Sequence, residues 1–273
     1  NQKQRLWTSG PMFRHERPQA GRYRQFHQID CEAFGYPGPD IDVELIQLSA
    51  RLWRKLRLRD VRLSVNSLGT PESRKAYRAI LVTYFQKHRA ALDADSLRRL
   101  ETNPLRILDS KNPAMREVTA NAPLLTDHLD TESRAHFDRF RELLDGCGIG
   151  FEVNPRLVRG MDYYNLTVFE WTSPLLGAQA TVCGGGRYDR LIETLGGKPA
   201  PGIGFGLGME RLMLMLEAAG LEPPSSAPDA YALVPDAQAL PRVMATLGAL
   251  REQGVSVLMH AGGGSMKSQF KRA

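Results

Sequence analysis

The stretch Gly10–Gly35, GPMFRHERPQAGRYRQFHQIDCEAFG, has the pattern of a β-hairpin whose two extended runs flank a Pro- and Gly-containing turn at 18–21. Because side chains alternate between the faces of a strand, one face of the second run would carry a cation, an aromatic ring, an amide and two carboxylates, namely Arg24, Phe26, Gln28, Asp30 and Glu32. If the hairpin closes, the side chains of Arg14, Gln28 and Glu32 could lie on one polar face of the sheet, which we call the polar floor. A solvated face of an antiparallel sheet has a similar pattern, so both interpretations stay open at this point.

The composition of the 273 residues is that of a globular protein, with 42% hydrophobic and 24% charged residues. A net charge of +6 permits a nucleic-acid partner without requiring one. The three cysteines lie far apart without a CxxC motif, and the histidines lack metal-site spacing, so a structural zinc site or a disulfide framework is not expected. We therefore predict a cytoplasmic protein. No apolar run approaches the roughly 20 residues of a membrane span, so no membrane partner is predicted.

The pattern divides the chain into four parts. Strand-like runs predict one β-rich domain over 1–69 and 149–222, which is interrupted by a helical block at 70–148. A Pro- and Ser-rich linker follows at 223–228. Residues 229–273 have a β-α-β-α pattern typical of the start of a parallel α/β domain. Both ends of the chain interrupt patterned segments, and we expect it to be a fragment.

Glycine occurs beside arginine in three segments of the β-rich part: 14–22, 159–160 and 206–211. Glycine lets backbone approach a ligand closely, and arginine binds phosphate or carboxylate through a fork of donors. Arg211 would lie in the first turn of a helix, where free N–H groups also favour an anion. One such arginine is usually only solvated, but three of them predict a polyphosphate site. Since no P-loop is present, a nucleotide would lie on an antiparallel sheet.

Two further segments allow more than one interpretation. Arg159 and Tyr164 have opposite parity, so a regular strand could not direct both at one ligand, and Gly160 offers a place for the chain to bend. Alternatively, Tyr163 and Tyr164 are ordinary half-buried sheet residues. The triple glycine 184–186 could be only a tight turn. The helix that follows Gly208 should bury one face, which we predict to be Met209, Leu212, Met213 and Leu216.

Three of these segments together resemble the histidyl-tRNA synthetases of class II. The opening stretch resembles their motif 2, LVRGMDYYNLTVFEW at 157–171 resembles the signature of that family, and GIGFGLGMERL at 202–212 resembles motif 3. The helical block is similar to the family's insertion domain, and the part from Asp229 to the beginning of its anticodon-binding domain.

The resemblance implies an α+β fold, in which an antiparallel sheet flanked by helices carries a helical insertion and a partial C-terminal α/β anticodon-binding domain. It implies that L-histidine is activated by ATP with Mg²⁺ to histidyl-adenylate and transferred to the 3′ end of tRNA(His), by a protein that is a homodimer at full length. No protein side chain is assigned as a Mg²⁺ ligand.

The resemblance also implies roles for individual residues. The catalytic arginines would be Arg14, Arg159 and Arg211. The ATP site would comprise Arg14 at the α-phosphate, Arg22 and Arg211 at the outer phosphates, and Phe26 stacked on adenine. The histidine site would comprise Gln28, Glu32, Arg159, Tyr163, Tyr164 and Tyr188. Arg17 and Gln19 would face the acceptor end of the tRNA.

Motif 1 and the loop that holds the substrate amino group are missing from the chain, so we expect these 273 residues alone to be inactive. The main alternative is the synthetase-like regulatory subunit of ATP phosphoribosyltransferase, a binding protein on the same fold. It would be expected to lack Arg17, Gln19, Arg159 and the β-α-β-α part after the linker. A basic α/β protein of another kind is a second alternative.

Overall fold

The computed structural model describes residues 3–15, 17–18, 21–108, 110, 112–159, 161, 163–221 and 227–273, with the side chains of 178 and 179 left out. The chain forms two compact units, Asn1–Leu221 and Glu222–Ala273.

The first unit is built on a seven-stranded sheet. Its strands are β1 Gln4–Phe13, β2 Gln25–Phe34, β3 Arg62–Ser67, β4 Phe151–Val153, β5 Asn165–Thr172, β6 Thr181–Arg187 and β7 Gly202–Gly208. Their order in the sheet is β1-β2-β7-β6-β5-β3-β4. Every neighbouring pair is antiparallel except β3 with β4. The predicted antiparallel sheet and the opening hairpin are therefore confirmed.

The helices of this unit are α1 Pro39–Lys55, α2 Pro71–Lys87, α3 Ala94–Thr102, α4 Arg116–Ala120, α5 Thr131–Gly146, α6 Leu191–Thr194 and α7 Met209–Ala218. Side-chain caps begin the two helices α2 and α5, where Thr70 and Asp130 accept hydrogen bonds from the backbone N–H groups of Ser73 and Ser133. Among the described residues, no helix is both long enough and apolar enough to cross a membrane.

One face of the sheet packs against helices. Cys31 and Ala33 of β2 and Phe205 of β7 join residues of α1 and α5, including Ile46 and Phe140, in one hydrophobic cluster. Odd-numbered positions of β2 therefore point into the core, and even-numbered positions point to the opposite face. That second face carries the predicted site.

The helical block has a cluster of its own. Tyr77, Leu81 and Phe85 of α2 pack with Ile107 and Met115, and this cluster reaches β5 at Val168. α5, which the sequence placed in the same block, instead contributes Phe137, Phe140 and Leu144 to the cluster under the sheet. The predicted boundaries of the insertion at 70–148 stay a prediction.

One alternative is excluded and one local prediction is wrong. The alternative that the triple glycine 184–186 is only a tight turn does not hold, because these residues lie inside β6. In α7 the side chain of Met213 is 59% exposed, whereas Met215 is fully buried. The buried stripe thus runs through Leu212, Met215 and Leu216, at three- and four-residue steps, and it is rotated from the predicted one.

The second unit contains β8 Ala230–Ala232, α8 Leu240–Glu252, β9 Val257–Met259 and α9 Met266–Arg272. The strands β8 and β9 pair in parallel, as the β-α-β-α pattern predicts. Within the unit, the buried side chain of Gln269 bonds both the N–H and the C=O of Val234, at 2.8 Å each. Most of the predicted linker at 223–228 lies outside the described residues.

Candidate functional site

The register of β2 explains its polar face. Glu32, Asp30 and Gln28 lie opposite Gly204, Gly206 and Gly208 of β7. Residues directly opposite each other in an antiparallel pair have side chains on the same face. The polar floor predicted from the hairpin is therefore present, and it is bordered by glycines rather than by packed side chains.

The glycines of the central strands make room for the site's own side chains. In β6, a Cβ on Gly184 would lie 2.7 Å from Nη1 of Arg159, and one on Gly186 would lie 3.0 Å from Cδ1 of Tyr164. At Gly202 a Cβ would lie 2.6 Å from the ring of Tyr188, and at Gly206 it would lie 2.6 Å from Nε2 of Gln28. At Gly204 it would overlap the carboxylate of Glu32. We call these five positions the glycine recesses; each one accommodates a residue that the sequence assigned to the site.

We expect Gly204→Ala to displace Glu32 and to raise the KM for histidine by about 10-fold or more, since displacing a positioned polar group by about 1 Å weakens binding strongly. The measurement is histidine-dependent ATP–pyrophosphate exchange by the full-length protein. Gly150→Ala is the matched control, because a Cβ there meets no atom within 4 Å. Unchanged histidine kinetics in Gly204→Ala would contradict this role of the recess.

Three predicted arginines surround one cavity of about 190 Å³, which is also lined by Phe26, Gln28 and Glu210. Nε of Arg14 donates to the carbonyl of Tyr23 at 2.9 Å, and its guanidinium lies 4.2 Å from the ring centroid of Phe26. Arg211 donates to the carbonyl of Gly21 at 2.8 Å and to that of Thr181 at 2.6 Å. The cavity therefore has fixed positive charge on several sides. Arg22 is partly exposed and is not among the lining residues.

Arg159 reaches the same cavity from the segment that precedes β5. Nη1 of Arg159 bonds Oε1 of Glu170, and the other carboxylate oxygen of Glu170 accepts from Oγ1 of Thr181 at 3.1 Å. Nε of Arg159 is buried and has no hydrogen-bond partner among the residues that the structure describes. Because a buried unpaired donor is costly, this nitrogen is suited to an anionic ligand that brings an acceptor.

Tyr163, Tyr164 and Tyr188, which together with Glu32 we call the tyrosine box, lie beside Arg159, whose guanidinium is 5.7 Å from the ring of Tyr164. The ring centroids of Tyr163 and Tyr164 are 4.7 Å apart, and those of Tyr163 and Tyr188 are 5.9 Å apart. The hydroxyl of Tyr188 donates to Oε2 of Glu32. Arg159 and Tyr164 both precede β5 and lie outside the strands. The alternation of side chains along a strand therefore does not direct them to opposite faces. Glu32, Tyr163, Tyr164 and Tyr188, which were all assigned to the histidine site, thus form one group, and Tyr163 and Tyr164 lie outside the strands. Their role in binding histidine stays a prediction.

Burial raises the pKa of Glu32 to about 7; the hydrogen bond from Tyr188 opposes this shift, and the charge of Asp30 adds to it. A carboxylic acid with this pKa changes its protonation state near neutral pH. Asp30 separates Glu32 from Gln28, whose Nε2 bonds Oδ1 of Asp30.

The raised pKa predicts a pH-dependent stability. The folded state binds the Glu32 proton more tightly than the unfolded chain does, so stability from this group is complete below about pH 4.5 and is lost as the pH rises through about 7. Glu32→Gln has no charge to bury, so we expect its Tm to exceed that of the wild type by about 2–4 °C near pH 8 and to equal it near pH 4.5. The measurement is thermal unfolding at both pH values. A lower Tm for the variant near pH 8 would show that the ionised form is the stabilising one.

The family model of histidyl-tRNA synthetase matches residues 1–212. This chain belongs to the histidyl-tRNA synthetase family. It is 56% identical over 272 residues to the histidine–tRNA ligase of Dechloromonas aromatica (strain RCB), with 100% of the chain and 63% of that protein covered. It is 58% identical over 271 residues to the histidine–tRNA ligase of Bordetella avium (strain 197N), with 98% of the chain and 63% of that protein covered.

The fold agrees with a solved member of the histidyl-tRNA synthetase family. The crystal structure of the apo enzyme from S. aureus matches with a TM-score of 0.78 at 35% identity, over 98% of this chain and 65% of that one. The chain spans about 63% of the length of the curated relatives it matches.

Some residues assigned from the synthetase motifs have no described contact. Arg17 is exposed, while Gln19 and Gly160 lie outside the described residues. The tRNA-facing role of Arg17 and Gln19 therefore stays a prediction.

Other residues were missed by the sequence analysis. Glu170 forms an ion pair with Arg159. The sequence feature that could have indicated Glu170 is a single carboxylate within the strand pattern TVFEW, whose other residues are apolar or carry a hydroxyl. Glu210 accepts from the backbone N–H of His27 at 2.8 Å and lies 3.0 Å from Nδ1 of the same residue, which ties the start of α7 to β2.

Both carboxylates are engaged: Glu170 bonds Arg159 and Thr181, and Glu210 bonds His27. Across the part of the chain that the structure describes, no group of three or more His, Cys, Asp or Glu side chains could hold a metal ion.

Proposed function

We propose that the full-length protein is a histidine–tRNA ligase, which forms histidyl-adenylate from ATP and L-histidine and transfers the histidyl group to the 3′ end of tRNA(His). The observation that carries this proposal is the position of Arg159. It lines an arginine-rich cavity suited to phosphates and lies beside the tyrosine box of Glu32, Tyr163, Tyr164 and Tyr188.

In the proposed ground state, ATP occupies the cavity, with its α-phosphate at Arg14 and Arg159 and its outer phosphates at Arg211 and Arg22. Phe26 takes the adenine, so Arg14 would leave part of the Phe26 ring that it now covers. ATP would carry Mg²⁺ on these outer phosphates, and the ion would neutralise part of their charge beside Arg211 and Arg22. Histidine places its imidazole in the box, and Gln28 lies at its amino-acid end.

In the first step, a carboxylate oxygen of histidine attacks the α-phosphorus, and the bond to the pyrophosphate oxygen breaks. The nucleophile is already ionised, so no protein general base is required. Negative charge grows on the α-phosphate oxygens, where Arg159 is a donor already oriented by Glu170 and Arg14 donates after it has moved from the Phe26 ring. Holding both substrates on one face of the sheet supplies the rest of the rate enhancement, because the two reacting groups are already adjacent and oriented.

The organisation of the chain is part of the proposal. We assign 1–69 and 149–222 to the catalytic domain, 70–148 to the insertion domain, and 229–273 to the beginning of an anticodon-binding domain. The separate hydrophobic cluster of the helical block and the separate compact unit Glu222–Ala273 support this division. We further propose that the full-length protein is a cytoplasmic homodimer and that Arg17 and Gln19 face the tRNA.

The test is charging of tRNA(His) with labelled histidine by the full-length protein, together with histidine-dependent ATP–pyrophosphate exchange. We expect both reactions, and we expect the 273-residue chain alone to show neither. Absence of charging with stable association to an ATP phosphoribosyltransferase would favour the regulatory-subunit alternative instead. Strong adenylation by the isolated chain would contradict the expected inactivity of the fragment.

A further inference from the structure

A buried ion pair lies directly behind the tyrosine box. The side chains of Arg187 at the end of β6 and Asp42 in α1 are both 0% exposed. Arg187 is the largest of the fully buried side chains among the described residues. The proposed chemistry assigns no role to either residue, and neither belongs to a motif named in the sequence analysis.

The donors of Arg187 are used on several sides. Its guanidinium bonds both carboxylate oxygens of Asp42, with Nε 3.3 Å from Oδ2. It also donates to the carbonyls of Gly38 at 2.7 Å and Tyr36 at 2.9 Å, and to Oδ1 of Asp189 at 3.1 Å. Because the planar guanidinium of Arg187 is hydrogen-bonded on several sides, it is held in one orientation.

The network encloses the backbone of Tyr188. Arg187 precedes this tyrosine and Asp189 follows it, while the N–H of Tyr188 donates to the carbonyl of Gly202 at 2.7 Å. Oδ1 of Asp189 in turn accepts from the N–H of Gly202 at 3.2 Å. Both neighbours of Tyr188 are therefore anchored, and its side chain projects towards Glu32.

The same network reaches the other two tyrosines. The N–H of Asp189 donates to Oδ1 of Asn165 at 2.8 Å, and Nδ2 of Asn165 donates to Oδ2 of Asp189 at 3.0 Å. Asn165 directly follows Tyr163 and Tyr164 in the chain. The pair of hydrogen bonds thus sets the spacing between the segment that carries Tyr163 and Tyr164 and the segment that carries Tyr188.

A buried salt bridge is a poor source of stability, because apolar residues of similar volume often stabilise a fold as well or better. Its advantage is a defined geometry. We propose that Arg187, Asp42, Asp189 and Asn165 are positioning residues that set the width of the Glu32–tyrosine box and thereby the affinity for histidine. This inference rests on the proposed function, since it concerns the histidine pocket of the same site.

The test is Asp189→Asn in the full-length protein. An asparagine keeps the shape but has one acceptor oxygen instead of two, so it cannot serve Arg187 and Gly202 on one side and the amide of Asn165 on the other. We expect the KM for histidine to rise about 10-fold and the KM for ATP to change by less than about twofold, the size of effect that orienting partners have. Asp95→Asn is the control, because it makes the same change in a surface ion pair of α3.

A second variant, Asn165→Ser, breaks the link to Asp189 without touching the ion pair. We expect it to raise the KM for histidine in the same selective way and to reduce the rise of Tm that saturating histidine produces. Equal changes in both KM values, or a loss of Tm with unchanged histidine KM, would show a merely structural role and overturn the inference. A wild-type protein without histidine-dependent exchange would instead overturn the proposed function, and this inference with it.

Discussion

Replacing Arg159 with alanine is expected to slow histidine-dependent ATP–pyrophosphate exchange at least about 100-fold in kcat, the effect of removing one fixed donor from developing charge. Arg159 is held by Glu170 at one guanidinium nitrogen, and within the described part of the chain its buried Nε has no hydrogen-bond partner. The side chain is therefore oriented before the substrates arrive, with a donor left for the carboxylate or the α-phosphate. The measurement is exchange kinetics of the full-length protein at saturating histidine and ATP.

Two variants define what Arg159 contributes. Arg159→Lys keeps a positive charge but loses the fork of donors, so we expect it to recover only part of the rate. Arg190→Ala is the control, because that arginine is exposed and pairs with the exposed Glu72. A near-normal kcat in Arg159→Ala would remove this residue from the chemical step and leave the proposed mechanism without its central donor.

Replacing Glu32 with glutamine is expected to lower kcat/KM for histidine about 100-fold or more, because a site built around a specific hydrogen-bonding group discriminates strongly when the pairing is wrong. The carboxylate is the only acidic group that bonds the Tyr188 hydroxyl among the described residues. The glutamine amide has the same shape as the carboxylate but only one acceptor oxygen, so it cannot accept hydrogen bonds at both positions. The KM for ATP should stay within about twofold of the wild type, since the arginine-lined cavity is unchanged.

The raised pKa of Glu32 adds a pH test of the same assignment. In the wild type, kcat/KM for histidine should vary with pH around the pKa of about 7, and this dependence should be weakened in Glu32→Gln. Glu142→Gln, at an exposed position of α5, is the control. If the Gln variant kept normal histidine kinetics while losing affinity for ATP, Glu32 would belong to the nucleotide rather than to the imidazole.

Part of the site could be read from local sequence. The alternation along β2 placed Phe26, Gln28 and Glu32 on one face, and the sheet keeps that arrangement because the odd-numbered side chains are needed in the core. Local pattern also located Arg159 and the tyrosines, although only the resemblance to a family assigned them roles.

The remaining features depend on long-range pairing. Gly204 makes room for Glu32 only because β7 lies next to β2 in the sheet, and no local pattern states which strands are neighbours. The same holds for Arg187, whose partner Asp42 lies on a distant helix. The face that α7 buries is set by what it packs against, so the shift from Met213 to Met215 could not be inferred from apolar spacing alone.

The glycine recesses have a consequence for folding energetics. On one face of the central strands β6 and β7, the polar and aromatic side chains of the site lie over glycines in place of a packed apolar layer, and bound substrates would bury further surface there. Ligand binding and the free energy of unfolding are then linked: an excess of about 100 times Kd adds about 2.7 kcal/mol to the stability of the folded state. The folded protein would therefore be most stable against unfolding when its substrates are bound and least stable when they are absent.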